Sequence, residues 1–149
     1  MRTPILLLSA VLIVLGVGSS ATAGTDAQSS ATLVAKKSRY GTVLFDGRGF
    51  ALYGFTRDRR GRPSTCYGAC ARAWPVFYRK TRLAAGKGVK QSLLGTTRRR
   101  DGRLQVTYNG WPLYYYIGEQ RPGVILCQNV EEYGGTWLVV RPNGRLVRQ

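Results

Sequence analysis

The stretch GTVLFDGRGFALYGF, residues 41–55, carries β-branched and aromatic residues on both sides of Asp46-Gly47. A second stretch, LQVTYNGWPLYYY at residues 104–116, has the same character around Asn109-Gly110. Asp-Gly and Asn-Gly between such runs are strong hairpin signals, because both central residues of the turn must tolerate positive φ. The two stretches therefore predict two β-hairpins.

Two further turns extend the β pattern. Residues 137–147, WLVVRPNGRLV, predict a hairpin that turns near Pro142-Asn143-Gly144. A turn at Asp101-Gly102 is expected to pair residues 93–97 with the strand at residues 104–108. Because helical periodicity is limited to a few residues, the sequence predicts a mainly β protein.

The first two hairpins mark an internal repeat, with one copy at about residues 40–80 and another at about residues 100–147. A Tyr, an aromatic residue, an acid, a Cys and a Trp follow in the same order in each copy. The acid lies five residues after the Tyr and the Cys 13 residues after it in both copies, whereas the Trp follows at 21 and 23 residues. The signature residues, as we call the set without the Cys, are Tyr53, Phe55, Asp58 and Trp74 in the first repeat, and Tyr114, Tyr116, Glu119 and Trp137 in the second. The repeat predicts a small pseudo-symmetric β domain whose halves cover each other, with a short helical turn at residues 68–74 near Cys66 and Cys70.

The first copy of the signature has a recognisable form. Tyr53-Gly54-Phe55-Thr56-Arg57-Asp58 fits the pattern Tyr-x-aromatic-x-x-Asp, and STCYGACARAWP, SLLGTT and YGGTWLVV follow it in order. In these features residues 40–147 resemble a family of bacterial secreted repeats and predicted lipoproteins that has no established activity. The resemblance implies a secreted or envelope-attached protein. The chain departs from the family in having no lipid-anchoring Cys at the export signal, in Glu119 replacing the second Asp, and in the added Cys127.

The first 23 residues predict a signal peptide. Arg2 precedes an apolar run from Ile5 to Val17, and Ala21-Thr22-Ala23 fits the small-residue rule for cleavage before Gly24. The apolar run is shorter than the ~20 residues that span a bilayer, so we expect no transmembrane span after cleavage. The protein is therefore expected to be secreted.

The mature chain is expected to comprise a flexible leader and one domain. Residues 24–37 are small and polar without apolar periodicity, which is typical of a flexible leader, and residues 38–149 suit a single domain. The sequence has no His and its single Met is Met1. This composition excludes Ser-His-Asp and Cys-His catalysis and His-ligated metals. We therefore expect no catalytic residues, no metal and no cofactor.

The charge of the chain is consistent with two interpretations, namely anionic partners or a solvated surface whose Arg content only reflects a GC-rich genome. The 23 basic residues outnumber the 7 acidic ones for a net charge of +16, and Arg, which binds carboxylates and phosphates bidentately, outnumbers Lys 18 to 5. For an exported protein we expect partners among anionic envelope polymers, extracellular polymers or lipid head groups. Nucleic acid is not expected, because the protein is exported and carries no recognised nucleic-acid motif. The candidate anion-binding residues lie beside turn signals and are Arg57, Arg59, Arg60, Arg62, Arg98, Arg99 and Arg100.

The signature residues allow two interpretations. Tyr53 and Phe55 share one face of a strand, because side chains alternate along it, and Asp58 follows in a turn. Together they would form either a surface site for a sugar or a cation, or a scaffold in which the rings are buried and the acid caps turn amides. The scaffold interpretation is favoured, since a duplicated fold repeats its structural devices.

The three Cys residues allow three single disulfides. Cys66 and Cys70 lie one helical turn apart, about 6 Å, which is within bridging reach, while Cys66–Cys127 would join equivalent positions of the repeats. The family resemblance favours Cys66–Cys70 and leaves Cys127 free. The sequence therefore predicts an exported, non-catalytic protein that binds anionic polymers, with a thiol-redox module that uses Cys66 and Cys70 as the alternative.

Overall fold

The computed structural model describes residues 31–79 and 82–148, so the predicted signal peptide and the first part of the leader lie outside the described residues. These residues form a mainly β fold with one short helix, as predicted, and none of their helices is long and apolar enough to cross a membrane. The elements in chain order are β1 (Leu33–Ser38), β2 (Gly41–Asp46), β3 (Tyr53–Phe55), α1 (Ala69–Ala73), a 3-10 turn (Gln91–Leu93), β4 (Leu94–Arg98), β5 (Leu104–Tyr108), β6 (Trp111–Pro112), β7 (Val130–Glu132) and β8 (Gly135–Val139).

The strands form three small antiparallel sheets. Their orders are β1-β2, β4-β5-β6 and β3-β8-β7. The predicted turn at Asp101-Gly102 joins β4 to β5, and the Asn109-Gly110 turn joins β5 to β6. The predicted C-terminal hairpin is confirmed by the bridge between Val140 and Leu146. A hairpin between β7 and β8 was not predicted, and its turn uses the left-handed residues Tyr133 and Gly134.

The predicted first hairpin forms around Asp46-Gly47, but its extent needs correction. The Asp46 N–H donates to the Phe50 carbonyl at 2.8 Å, the Leu52 N–H donates to the Leu44 carbonyl at 3.3 Å, and Phe45 forms a bridge with Ala51. The full length of β2 pairs with β1, around a turn at residues 39–40. β3 pairs with β8 instead. Asp46 explains the tight turn, because its carboxylate accepts the amide N–H groups of Arg48 and Phe50. An Asp that caps its own turn makes a sharp reversal without needing long strands on both sides.

The predicted end of the leader at residue 37 is also wrong. Residues 33–37 belong to β1, and Leu33 and Val34 are fully buried. A small and polar composition predicts a leader here, yet the buried side chains of Leu33 and Val34 anchor the strand against β2. The second repeat likewise includes β4 and begins before the predicted residue 100.

The two repeats are interlocked through their backbones. Tyr53 and Tyr114 exchange N–H···O hydrogen bonds with each other at 2.9 and 3.0 Å. Beyond this central bridge, Tyr53 pairs with Val139 and Tyr114 pairs with Val76, which lie two residues after the Trp of the opposite repeat. Each half therefore completes the sheet of the other, and the predicted pseudo-symmetry is present in the hydrogen-bonding pattern.

The core consists of two clusters on opposite sides of these central segments. Tyr53 and Tyr114 lie in one cluster, and their neighbours Leu52 and Leu113 lie in the other. Alternating side chains of a strand point to opposite faces, so a strand buried on both sides serves both clusters. A Cβ on Gly54 would come within 2.6 Å of a terminal methyl group of Leu146, so a larger residue there would require that side chain to move.

Candidate functional site

The Tyr and the acid of the signature pair across the repeats. The Tyr114 hydroxyl donates to Asp58 Oδ2 at 2.6 Å, and the Tyr53 hydroxyl donates to Glu119 Oε1. Both Tyr side chains are fully buried, and both acids are at most 6% exposed. The pairing is reciprocal, so each repeat supplies the acid that satisfies the buried phenol of the other.

Each acid also fixes the loop that follows it. Asp58 Oδ1 accepts the backbone N–H of Thr65 at 2.7 Å, and Glu119 Oε1 accepts the backbone N–H of Leu126 at 2.8 Å. Both amides lie seven residues after their acid. Burial raises the pKa of both carboxyl groups, and the hydrogen bonds from Tyr and backbone only partly oppose this effect. Glu119 thus reproduces the phenol and amide contacts of Asp58, and Asp58 additionally accepts the Thr65 hydroxyl at 2.8 Å.

The four remaining signature rings form a stack through the interface between the repeats. Trp74 and Trp137 lie parallel at its centre, with ring centroids 3.9 Å apart. Phe55 of the first repeat stacks on Trp137 at 4.1 Å, and Tyr116 of the second repeat lies against Trp74 at 4.9 Å. These rings hold the two repeats together.

The signature residues therefore form a scaffold rather than a surface site. A sugar or cation platform needs an exposed aromatic face, whereas Phe55 and both Trp residues are at most 1% exposed and Tyr116 is half-buried against Trp74. The carboxylates of Asp58 and Glu119 are each held by a phenol and a backbone amide. The residues that the repeat makes most recognisable therefore account for the fold.

The predicted disulfide between Cys66 and Cys70 is confirmed, with Cα atoms 5.3 Å apart at the start of α1. Cys127, the equivalent of Cys66 in the second repeat, has a free and buried thiol, and burial raises the pKa of this thiol. Cys66 is 1% exposed and Cys70 is 7% exposed. Thiol exchange needs an accessible sulfur, so this burial favours a structural disulfide over the redox alternative.

The seven candidate anion-binding arginines have different environments. The prediction that Arg99 binds anions is wrong, because this residue is only 4% exposed. It donates to Gln105 Oε1 at 3.0 Å, to the Cys66 carbonyl at 2.7 Å and to the Ser64 hydroxyl. Its hydrogen bonds fix the loop before α1. The other six are exposed; three of them, Arg57, Arg60 and Arg98, donate to backbone carbonyls. Arg100 lies over the Tyr67 ring, 4.0 Å from its centroid.

A concave surface brings one of these candidates together with three arginines that the sequence analysis did not select. We call it the arginine cleft, and its volume is about 490 Å³. No carboxylate from the described residues lines it. The main lining residues are Arg60, Asn109, Trp111, Arg141, Arg145 and Arg148.

The floor of the cleft is built from two hairpin turns. Asn109 and Gly110 form the turn between β5 and β6, and Asn143 and Gly144 lie in the C-terminal hairpin. The Asn109 amide donates to the Asn143 carbonyl at 3.4 Å. Arg60 Nε donates to the Asn109 carbonyl at 2.7 Å, which fixes this arginine at the edge. The cleft is therefore held in shape before any ligand arrives.

The cleft could not be located from the sequence, although its parts were visible. Arg141 and Arg145 flank the predicted turn at residues 142–144 and form the backbone pair that closes it. They are four residues apart and do not form a run of charges, so a search for clustered arginines overlooks them. The missing information was that the two turns meet, and this depends on the long-range pairing of the repeats.

The chemistry available in the arginine cleft is the binding of anions. Guanidinium groups present planar, permanently charged donors that match carboxylate and phosphate oxygens. Residues 31–79 and 82–148 contain no group of three or more His, Cys, Asp and Glu residues that could hold a metal ion.

Comparison with known proteins agrees with the repeated architecture. No curated protein and no solved structure matches the chain. A family described as a secreted repeat of unknown function matches twice, at residues 34–78 and 95–141. The first match begins in β1 and the second in β4, so the matched units agree with the two structural halves and the protein is assigned outside the cytoplasm. The chain therefore belongs to this family of secreted repeats and consists of two copies of its unit.

Proposed function

We propose that the protein is an exported, non-catalytic module that binds anionic polymers of the cell envelope or the extracellular space. The observation that carries this proposal is the arginine cleft, where four arginines converge and no carboxylate of residues 31–79 and 82–148 lines the surface. Like charges repel one another, and a bound anion relieves this repulsion. The interaction would weaken as salt screens the charges.

The shape of the site favours a polymer over a membrane surface. A bilayer presents a broad and nearly flat array of head groups, whereas the cleft is concave and four arginines line its volume of about 490 Å³. A flexible anionic chain can enter such a space and contact several guanidinium groups at once. Lipid head groups remain the competing partner in the test.

Charge reversal in the cleft tests the proposal. The variant R141E/R145E is compared with R72E/R82E, whose arginines are exposed and lie outside the cleft. Both variants change the net charge equally. With polygalacturonate as the probe, we expect the cleft variant to bind about tenfold or more weakly than the control, from several exposed charge pairs at ~0.2–1 kcal/mol each.

Two outcomes would contradict the proposal. Equal weakening by the two variants would mean that binding follows net charge and does not use the cleft. Tighter binding to vesicles of anionic lipid than to polygalacturonate, at matched charge concentration and salt, would mean that the partner is a membrane surface. Thermal melting of each variant verifies that the fold is retained.

A further inference from the structure

Trp111 differs from the other two tryptophans of the chain. Trp74 and Trp137 are fully buried and stacked on each other, whereas Trp111 is half-buried and lines the arginine cleft. In the part of the chain that the structure describes, no aromatic ring stacks on Trp111. The faces of the Trp111 indole are therefore not packed against other aromatic rings of the core.

The arginines of the cleft do not stack on the Trp111 ring. Elsewhere arginines lie over the rings of Tyr40, Phe50, Tyr67, Tyr78 and Tyr115, yet among the described residues none lies over Trp111. An arginine next to an indole gains free energy by stacking on it. Because the arginines of the cleft do not stack on Trp111, both the guanidinium groups and the indole remain available to a ligand.

Three guanidinium groups of the cleft also remain available. Within residues 31–79 and 82–148, the side chains of Arg141, Arg145 and Arg148 donate no hydrogen bond to a protein acceptor and form no ion pair. Arg60 is different, since it is engaged with Asn109. The cleft thus offers three unused cationic groups and one partly exposed indole.

We propose that the arginine cleft binds an anionic glycan, with a sugar ring against Trp111 and its carboxylate or phosphate group on Arg141, Arg145 and Arg148. The inference rests on the proposed function and specifies its ligand. A sugar presents apolar C–H groups to an aromatic ring and hydroxyls to polar side chains such as Asn109 and Asn143, which also line the cleft. Its charged substituent meets the arginines.

The size of the cleft agrees with a ligand larger than a simple anion. Its volume of about 490 Å³ falls within the ~300–1,000 Å³ of pockets that hold small organic molecules. An inorganic anion, comparable in size with a few water molecules of ~30 Å³ each, would leave most of this space unfilled. A charged sugar unit uses both the volume and the indole.

The test compares two polymers of carboxylates. Polygalacturonate carries its carboxylates on sugar rings, and polyglutamate carries them on a chain without rings. We expect W111A to weaken the binding of polygalacturonate about tenfold, the effect of ~1.4 kcal/mol of stacking, and to leave polyglutamate binding unchanged. The matched control is Y133A, which removes an aromatic residue that is 41% exposed and lies outside the cleft.

A second variant keeps the inference falsifiable if W111A misfolds. W111F retains a ring, so it should keep most of the affinity for polygalacturonate. It should also lose the change in tryptophan fluorescence that the ligand causes, because Trp74 and Trp137 are buried away from the cleft. A ligand-induced change that persists in W111F would overturn the inference.

The outcomes separate this inference from the proposed function. If R141E/R145E weakens the binding of both polymers while W111A weakens neither, or both equally, the cleft binds polyanions without recognising the sugar and the glycan inference is wrong. If R141E/R145E behaves like R72E/R82E, the proposed function itself fails. Selective loss of polygalacturonate binding in W111A supports both.

Discussion

The reciprocal Tyr–acid pairs make stability depend on pH at the level of single residues. Burial raises the pKa of Asp58 and Glu119 above the values of ~3.9 and ~4.3 that such groups have in an unfolded chain. The folded state then binds protons more readily than the unfolded state. Stability from these groups is fully present below the unfolded pKa and is lost as pH rises through the folded pKa.

We therefore expect D58N to flatten the pH dependence of stability. In the wild type, Asp58 contributes a gain in melting temperature as pH falls from neutral toward about 4, and the variant lacks this contribution. The measurement is thermal melting across this range at constant ionic strength. D101N is the control, because Asp101 is exposed and Arg103 lowers its pKa. The stability contributed by Asp101 is therefore lost as pH falls, which is the opposite pH dependence. A slope in D58N as steep as that of the wild type would show that the buried carboxyl does not control the effect.

At the scale of elements, the Asn109-Gly110 turn supports the cleft and depends on its glycine. Gly110 has a φ of +78°, and a Cβ there would lie 2.8 Å from the Gly61 nitrogen, which donates to the Gly110 carbonyl. Gly102 has a nearly equal φ of +80°, but a Cβ there would meet nothing within 4 Å. A comparison of alanine substitutions at Gly110 and Gly102 therefore distinguishes the cost of backbone strain from the cost of steric contact.

The matched pair G110A and G102A tests this difference. Both variants should lose ~1–2 kcal/mol of unfolding free energy from left-handed strain. G110A should lose a further ~1–3 kcal/mol, because the new methyl group meets backbone atoms that cannot rotate away. Urea unfolding monitored by circular dichroism measures both values. Equal losses would mean that the contact between the turn and Gly61 is relieved by a small movement.

Local turn chemistry could be predicted from the sequence, whereas long-range pairing could not. Asp101-Gly102 and Asn109-Gly110 each specify a reversal through their own conformations. Nothing in residues 53–55 indicates that β3 pairs with β8 more than 80 residues away, because a short buried strand fits any partner of matching shape. The arginine cleft depends on such contacts, so the sequence indicates Arg60 as a candidate anion-binding residue but not that it lies in one cleft with Trp111.

At the scale of the whole molecule, few basic side chains of the described residues are neutralised by ion pairs with acidic side chains. The described residues contain two ion pairs, Arg48–Asp46 and Arg103–Asp101, against a net charge of +16 for the chain. Strong self-repulsion destabilises a compact state, and an anion that binds only the folded form restores stability. The ligand proposed for the cleft would thus raise the melting temperature as well as occupy the site.

The crossed contacts between the repeats also determine how the molecule unfolds. Tyr53 relies on Glu119, Tyr114 relies on Asp58, and the central indoles come from different repeats. Neither repeat can satisfy its buried groups alone, so we expect a single cooperative transition in place of two.

The variants Y53F and Y114F test this interdependence. Each leaves a buried carboxylate of the opposite repeat without its phenol, at a cost of ~1–3 kcal/mol. Because the two sites occupy equivalent positions in interlocked repeats, each variant should shift the whole transition, with near-UV and far-UV circular dichroism remaining coincident. If Y53F moved only part of the signal and Y114F the rest, the repeats would be unfolding as separate units. The hydrogen bonds between the repeats would then only strengthen the contact between two separate domains, and the repeats would not form a single cooperative domain.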